Sequence, residues 1–376
     1  MIDPQYFLEI LERKGAGLFT GVPDSLLAGL CDVLSGSAQH LPAPNEGSAV
    51  ALAAGHYMAT GRPAVVYMQN SGLGNAVNPL VSLADPEIYA LPMLLIVGWR
   101  GEAGLKDEPQ HVKQGRLTPA FLEVLEIPYR IVGPDSNLEE ETDRIWEKMQ
   151  SRSGPAALLI RKGTFGASEN QKAQPGLEFN RALLTREEAV ECVLEGLSPR
   201  DMVVSTTGRA SRELWELRLK RGEICADFLT VGSMGHASAT ALAAARARPD
   251  RRFICLDGDG ALLMHLGLLA LIGTAGPANF LHILLNNSCH ESVGGQPVCA
   301  VGLDWPRLAL DCGYASARRL AGRGEIAEAF ETTGESGGPH FFEITVAPGS
   351  RADLGRPGLA PKENRARFME RLAEPV

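Results

Sequence analysis

The chain has 376 residues, of which 45% are hydrophobic and 22% charged, with a net charge of −9 and a pI near 5.5. That length is too great for one ordinary core and predicts two or three soluble, globular domains. The acidic balance argues against nucleic acid as the main partner and against an anionic membrane surface, but leaves room for a small anionic substrate in a locally basic pocket.

The opening MIDPQYFLEILERKG reads as the start of an acidic amphipathic helix rather than a signal peptide. FTGVPDSLL (19–27) follows, with Pro23-Asp24-Ser25 placed to open a helix. In PNEGSAVALAAGHYMATG (44–61), Asn45 is a candidate N-cap, and the small apolar residues after Glu46 suit a tightly packed helix. AVVYMQ (64–69), MLLIVGW (93–99) and AALLIRK (156–162) read as buried strands. QNSGLG (69–74) closes the first of these with polar groups, and a glycine-containing loop with Arg100, Lys106, His111, Lys113 and Arg116 follows the second. Residues 163–180 are polar and aperiodic, and the stretch 166–183 reads as a linker between two α/β domains, 1–165 and 184–350. MVVST (202–206), RFICLD (252–257), FLHILLN (280–286) and HFFEITV (340–346) repeat the buried-strand pattern. Continuous apolar strands alternating with helices predict doubly wound parallel sheets in both domains. The tail over 351–376 reads as an extended arm ending in a short helix. The seven cysteines are scattered without a C-x-x-C, so neither a disulfide framework nor a zinc site is indicated. No apolar run reaches the roughly 20 residues of a membrane span, and a reducing, cytoplasmic location is expected.

One unit carries more chemistry than the rest. RFICLD runs into Gly258-Asp259-Gly260, which reads as a tight turn with a helix starting near Ala261, and the next strand ends at Asn286-Asn287. A strand–helix–strand crossover makes the two strands parallel, so Asp259 and Asn287 lie on the same sheet edge, where ligands of open α/β sheets bind. A carboxylate, an amide oxygen and a nearby backbone carbonyl suit Mg²⁺ or Ca²⁺. The flanking glycines admit a ligand to the backbone, and the helix start at Gly260 and Ala261 favours an anion. The pattern suggests a metal-bridged diphosphate.

GDG, a spacer of 25 residues and NN resemble the cofactor motif of thiamin-diphosphate enzymes. The resemblance implies Mg²⁺ held by Asp259, Asn287 and the backbone oxygen of Cys289. It also implies that Gly232 and Ser233 contact the cofactor, that Met234 props it in a bent shape, and that Thr207 and Gly208 touch its diphosphate or pyrimidine. Glu46 becomes the carboxylate beside the aminopyrimidine. The order implied is a pyrimidine-binding domain and then a diphosphate-binding domain, with no middle domain. Self-association would place Glu46 of one copy and the metal site of another in one active site.

FTGVPDSLL, VVYMQNSGLGNAVNPLVSLADPEIY, WRGEAGLKDEPQHVKQGR and NNSCHESVGGQP are similar to the phosphonopyruvate decarboxylase family. The activity implied is loss of CO₂ from 3-phosphonopyruvate through a thiamin ylide and an enamine, giving phosphonoacetaldehyde. The alternatives are sulfopyruvate or another anionic 2-oxo acid as substrate, or carboligation through the same enamine. Asp24, Ser25, Asn70, Ser71, Arg100, Lys106 and His111 are the candidate substrate contacts, and His290 and Glu291 are candidates to protonate the enamine or hold the substrate. Ser288-Cys289-His290-Glu291 departs from the family's usual Gly-Ala-His-Asp. A backbone-oxygen ligand tolerates the cysteine, whereas serine in place of glycine restricts the turn.

Overall fold

A computed structural model describes residues 1–166, 183–333 and 337–375. The chain divides into two compact units, Met1–Pro175 with His290–Cys299 and Gly176–Cys289 with Ala300–Val376. His290–Cys299 groups with the first unit although it lies within the sequence of the second. The linker expected over 166–183 lies, apart from its two ends, outside the described residues.

The first unit is a sheet of β1 (Leu18–Gly21), β2 (His40–Pro42), β3 (Ala64–Gln69), β4 (Met93–Gly98), β5 (Tyr129–Val132) and β6 (Ala156–Ile160). The order is β2-β1-β3-β4-β6-β5 and every pairing is parallel. β4 and β6 are buried along their whole length, because helices cover both faces. Phe7, Leu30 and Trp146 pack on one face, and Ala49, Ala53, Ala76 and Leu122 on the other. The chain goes out from β1 to β2 and returns to β3 on the other side, which creates a topological switch point between β1 and β3.

The second unit repeats the plan with β7 (Met202–Ser205), β8 (Phe228–Leu229), β9 (Phe253–Gly258) and β10 (Phe280–Asn286). A small pair, β11 (Cys289–His290) and β12 (Gln296–Pro297), precedes β13 (Ser316–Leu320) and β14 (His340–Thr345). The large sheet has the order β13-β14-β10-β9-β7-β8, all parallel, with its switch point between β7 and β9. The C-terminal tail is more than an arm. Its helix Pro361–Ala373 covers the exposed edge of β8: Asn364 donates to the Asp227 carbonyl at 2.8 Å and accepts from the Leu229 N–H at 3.0 Å.

Three local expectations are corrected. Pro23-Asp24-Ser25 forms a turn, and the helix begins only at Ala28, because the Asp24 side chain accepts from the Leu26 N–H at 3.0 Å and closes an Asx turn first. The helix after β9 starts at Asp259 rather than Ala261, breaks at His265, and resumes over Gly267–Ala275. His111, Lys113 and Arg116 sit on the helix Pro109–Val124 rather than in a loop, because Pro109 is placed to start a helix.

Candidate active site

In the second unit the switch point gathers the expected cofactor residues. Thr207 and Gly208 follow β7, Gly258 and Asp259 end β9, and Asn286 and Asn287 end β10, which are three adjacent strands. The 230–235 loop after β8 joins them, with the Gly232 N–H donating to Thr207 Oγ1 at 3.1 Å. Gly232 and Ser233 both have left-handed backbones, with φ of 71° and 46°.

Asp259 is the centre of this edge. It is buried; its Oδ1 accepts from the Gly260 N–H at 2.7 Å, and its Oδ2 has no hydrogen-bond partner. Burial pushes its carboxyl up to about 6, against the backbone N–H groups of Gly260 and Ser288. A side chain built on Gly258 would meet nothing within 4 Å beyond its own chain neighbours. A buried carboxylate with one oxygen left unpaired suits a metal ligand. Asn287 Oδ1 accepts from the Cys289 N–H at 3.2 Å, which folds the loop back over itself. Asn286 is structural: it donates to Glu343 at 2.8 Å and accepts from the Ser288 N–H at 3.1 Å. That bond holds Ser288 at φ 58°, the left-handed turn in which glycine would be at ease. The residues present fit a divalent cation and the diphosphate it would bridge.

The first unit offers the acid. Glu46 is the first residue of the helix Glu46–Thr60, and Asn45 caps that helix by accepting from the Ser48 N–H at 2.9 Å. The Glu46 side chain is buried, and its Oε2 accepts from Asn75 Nδ2 at 2.8 Å. Gly72 lies against the carboxylate: a Cβ there would stand 2.4 Å from Oε1. Asn75 and Gly72 belong to the NSGLGN stretch after β3, and nothing in their spacing from Glu46 announced the contact.

The candidate substrate residues follow β1, β3 and β4, again three neighbours. Asp24 is buried, with Oδ1 unpartnered, and burial pushes its carboxyl up to about 6. It fits there because Gly98 has no side chain; a Cβ at that position would meet Asp24 Oδ2 at 2.1 Å. Asn70 is buried, and its amide donates to the Arg100 carbonyl at 2.8 Å and to Thr118 Oγ1 at 2.9 Å, so its hydrogens serve the protein. Arg100 Nη1 donates to Ser25 Oγ at 2.8 Å, which ties two of the candidates together. Ser71, Lys106, Lys113 and Arg116 are exposed. His111 is buried and turned inward, with Nδ1 2.9 Å from Asp107.

His290 falls in the segment that packs with the first unit, and burial pushes its ring down to about 4. At neutral pH it is therefore an uncharged hydrogen-bonding group rather than a cationic acid. The same segment is anchored by Gln296, whose amide donates to the buried Asp32 at 2.8 Å. Glu291 opens the short turn Glu291–Val293.

Comparison with known proteins identifies the family. Residues 4–120 match the family model for the N-terminal TPP-binding domain of thiamine pyrophosphate enzymes, and residues 206–344 match the model for the C-terminal one. The chain is 35% identical to the phosphonopyruvate decarboxylase of Streptomyces hygroscopicus over 100% of its own length and 95% of that protein. It is 35% identical to that of Streptomyces viridochromogenes over 97% and 94%. Against the sulfopyruvate decarboxylase of Methanosarcina acetivorans identity falls to 27%, over 97% and 96% of the two chains.

Proposed function

The chain belongs to the phosphonopyruvate decarboxylase family of thiamine pyrophosphate enzymes, and from that membership we infer that it converts 3-phosphonopyruvate to phosphonoacetaldehyde and CO₂. The structural observation that supports the reading is the buried Asp259 carboxylate, with one oxygen unclaimed at the sheet edge where ligands of open α/β sheets bind. Asp259 and Asn287, through their side-chain oxygens, and Cys289, through its carbonyl, would hold Mg²⁺ against the diphosphate. Gly208, Gly232, Gly258 and Gly260 would let the backbone approach the phosphates, with Thr207 and Ala261 beside them, and Ser233 and Met234 would shape the ring site. Thiamin diphosphate, when bound, supplies the electron sink for loss of CO₂. Glu46, oriented by Asn75, would hold a proton at the aminopyrimidine. His290 would hydrogen-bond the substrate as a neutral ring. We also propose self-association, with Glu46 and Asp259 of different copies serving one site.

The test is CO₂ release from phosphonopyruvate and from sulfopyruvate in parallel, with thiamin diphosphate and Mg²⁺ supplied or the metal chelated. Preference for phosphonopyruvate that is lost on chelation supports the reading. Preference for sulfopyruvate transfers the same chemistry to a sulfonate, in line with the full-length likeness to that relative.

A further inference from the structure

Asp107 is not among the candidate site residues read from the sequence, yet its carboxylate is heavily hydrogen-bonded. Its Oδ2 accepts from Arg100 Nε at 2.9 Å and from the Gly101 N–H at 2.8 Å. Its Oδ1 accepts from Arg100 Nη2 at 2.5 Å and from the Glu108 N–H at 2.8 Å, and lies 2.9 Å from His111 Nδ1. Burial alone would raise this carboxyl; the bonds from Arg100, His111 and the backbone outweigh it and hold it well below the usual carboxylate range. Its charge is thereby engaged locally rather than projected outward.

Arg100 is fixed at both ends. Asn70 holds its backbone, donating to the carbonyl at 2.8 Å and accepting from the N–H at 3.3 Å. Asp107 holds the guanidinium side-on, and only 18% of the Arg100 side chain is exposed. The close approach this needs is built in. A Cβ at Gly115 would stand 1.9 Å from the Gly101 carbonyl, and one at Gly101 would stand 1.9 Å from the His111 carbonyl. An arginine has five N–H donors. Asp107 takes two and Ser25 a third, which leaves one on each terminal nitrogen among the described residues. Two parallel N–H groups at the end of a rigid guanidinium match two oxygens of one anion.

We propose that Asp107 is a positioning residue that aims this end of Arg100 at the anionic group remote from the substrate's carboxylate, the phosphonate. The proposal rests on the decarboxylase reading above and adds the residue that reads the substrate's far end. Lysine at position 100 would keep the charge and lose the fork, and asparagine at 107 would keep the size and lose one acceptor oxygen.

The experiment compares wild type, Asp107→Asn, Asp107→Glu and Arg100→Lys as holoenzymes, with phosphonopyruvate and with pyruvate, which lacks the second anionic group. Asp107→Asn should raise KM for phosphonopyruvate tenfold or more and change kcat less than about threefold. KM for pyruvate should stay within about twofold, and Asp107→Glu should recover part of the loss. Titration of 3-phosphonopropionate, an unreactive probe, should show the same weakening relative to propionate. Equal losses for both substrates and both probes would overturn the proposal and make Asp107 a loop buttress only; so would no loss at all. If Asp107→Asn fails to fold, Arg100→Lys carries the test, since it leaves the carboxylate in place, and the same split is expected of it. Failure of the functional reading is separate: wild type would then turn over sulfopyruvate alone, and the split would be read with sulfopyruvate against pyruvate.

Discussion

The two sheets end in carboxylates that are opposite in state. At the first, Asp107 has both oxygens filled by side chains and backbone of its own unit. At the second, Asp259 binds one backbone N–H and leaves its other oxygen buried and bare. The glycines follow suit. Gly101 and Gly115 are crowded to the point of contact, whereas Gly258 faces nothing within 4 Å. A buried acceptor left unpaired is a destabilising arrangement, of about 1–3 kcal/mol, unless something else meets it. The first edge is thus already assembled, and in the proposed reading it would orient side chains for a substrate. The second is assembled only in part, and in the proposed reading a cation would complete it.

Glu46 is the strongest way to break this comparison, because in the proposed reading it is the carboxylate that would exchange a proton. Glu46→Gln keeps the bond from Asn75 and removes the base, so turnover should fall about 10²–10⁴-fold while thiamin diphosphate still quenches protein fluorescence. Retained turnover would put the proton elsewhere. Next comes Asp259→Asn. It replaces the bare anionic oxygen, so the Mg²⁺ concentration for half-maximal cofactor binding should rise more than about tenfold. An unchanged midpoint would move the metal off this edge.

Asp24 sharpens the contrast, since it is a buried, half-satisfied carboxylate at the first edge. Its folded value of about 6 lies above the 3.8 of an ordinary aspartate. The charged form is therefore the disfavoured one in the fold. The carboxyl is neutral in both states below about 3.8, and stability is lost as pH rises through 6, by on the order of 3 kcal/mol in all. Asp24→Asn can keep the bond to Leu26 and should be more stable than wild type at pH 8, with the gap closing by pH 4. Denaturant melts at the two pH values test this, and a gap independent of pH would mean that Arg100 keeps Asp24 charged throughout.

The central strands were legible because parallel strands covered on both faces are continuous apolar runs, as in Met93–Gly98. β2, β5 and β13 were not, since they lie at or near sheet edges and carry residues such as His40, Arg130 and Arg318. β1 holds only two apolar residues, Leu18 and Phe19, before Thr20 and Gly21, and β8 is only two residues long. At the site, Asp259 and Asn287 were readable because a single crossover fixes their edge. Asn75 against Glu46, 29 residues apart, and Asp107 against Arg100 were not, because both depend on how a loop packs rather than on period or spacing. The turn at Pro23-Asp24-Ser25 was misread for a related reason: one side-chain bond from Asp24 outcompeted the helix start that the proline suggested.

The smallest effect concerns the loop that gives the second edge its open shape. Ser288 sits at φ 58°, where a side chain costs roughly 1–2 kcal/mol relative to an ordinary backbone, and glycine costs nothing in the fold. Glycine also gains about 0.5–1 kcal/mol of freedom in the unfolded chain, which offsets part of the relief. The Ser288 hydroxyl contributes a long bond, 3.3 Å to Asn286, while the backbone bond to the same oxygen would survive the change. The balance favours Ser288→Gly by about 0.5 kcal/mol, or a rise in Tm of about 1–2 °C. A fall in Tm would mean that the hydroxyl bond outweighs the strain. The serine would then be a stabilising element of the metal loop, and this edge would be less open to rearrangement than its bare carboxylate suggests.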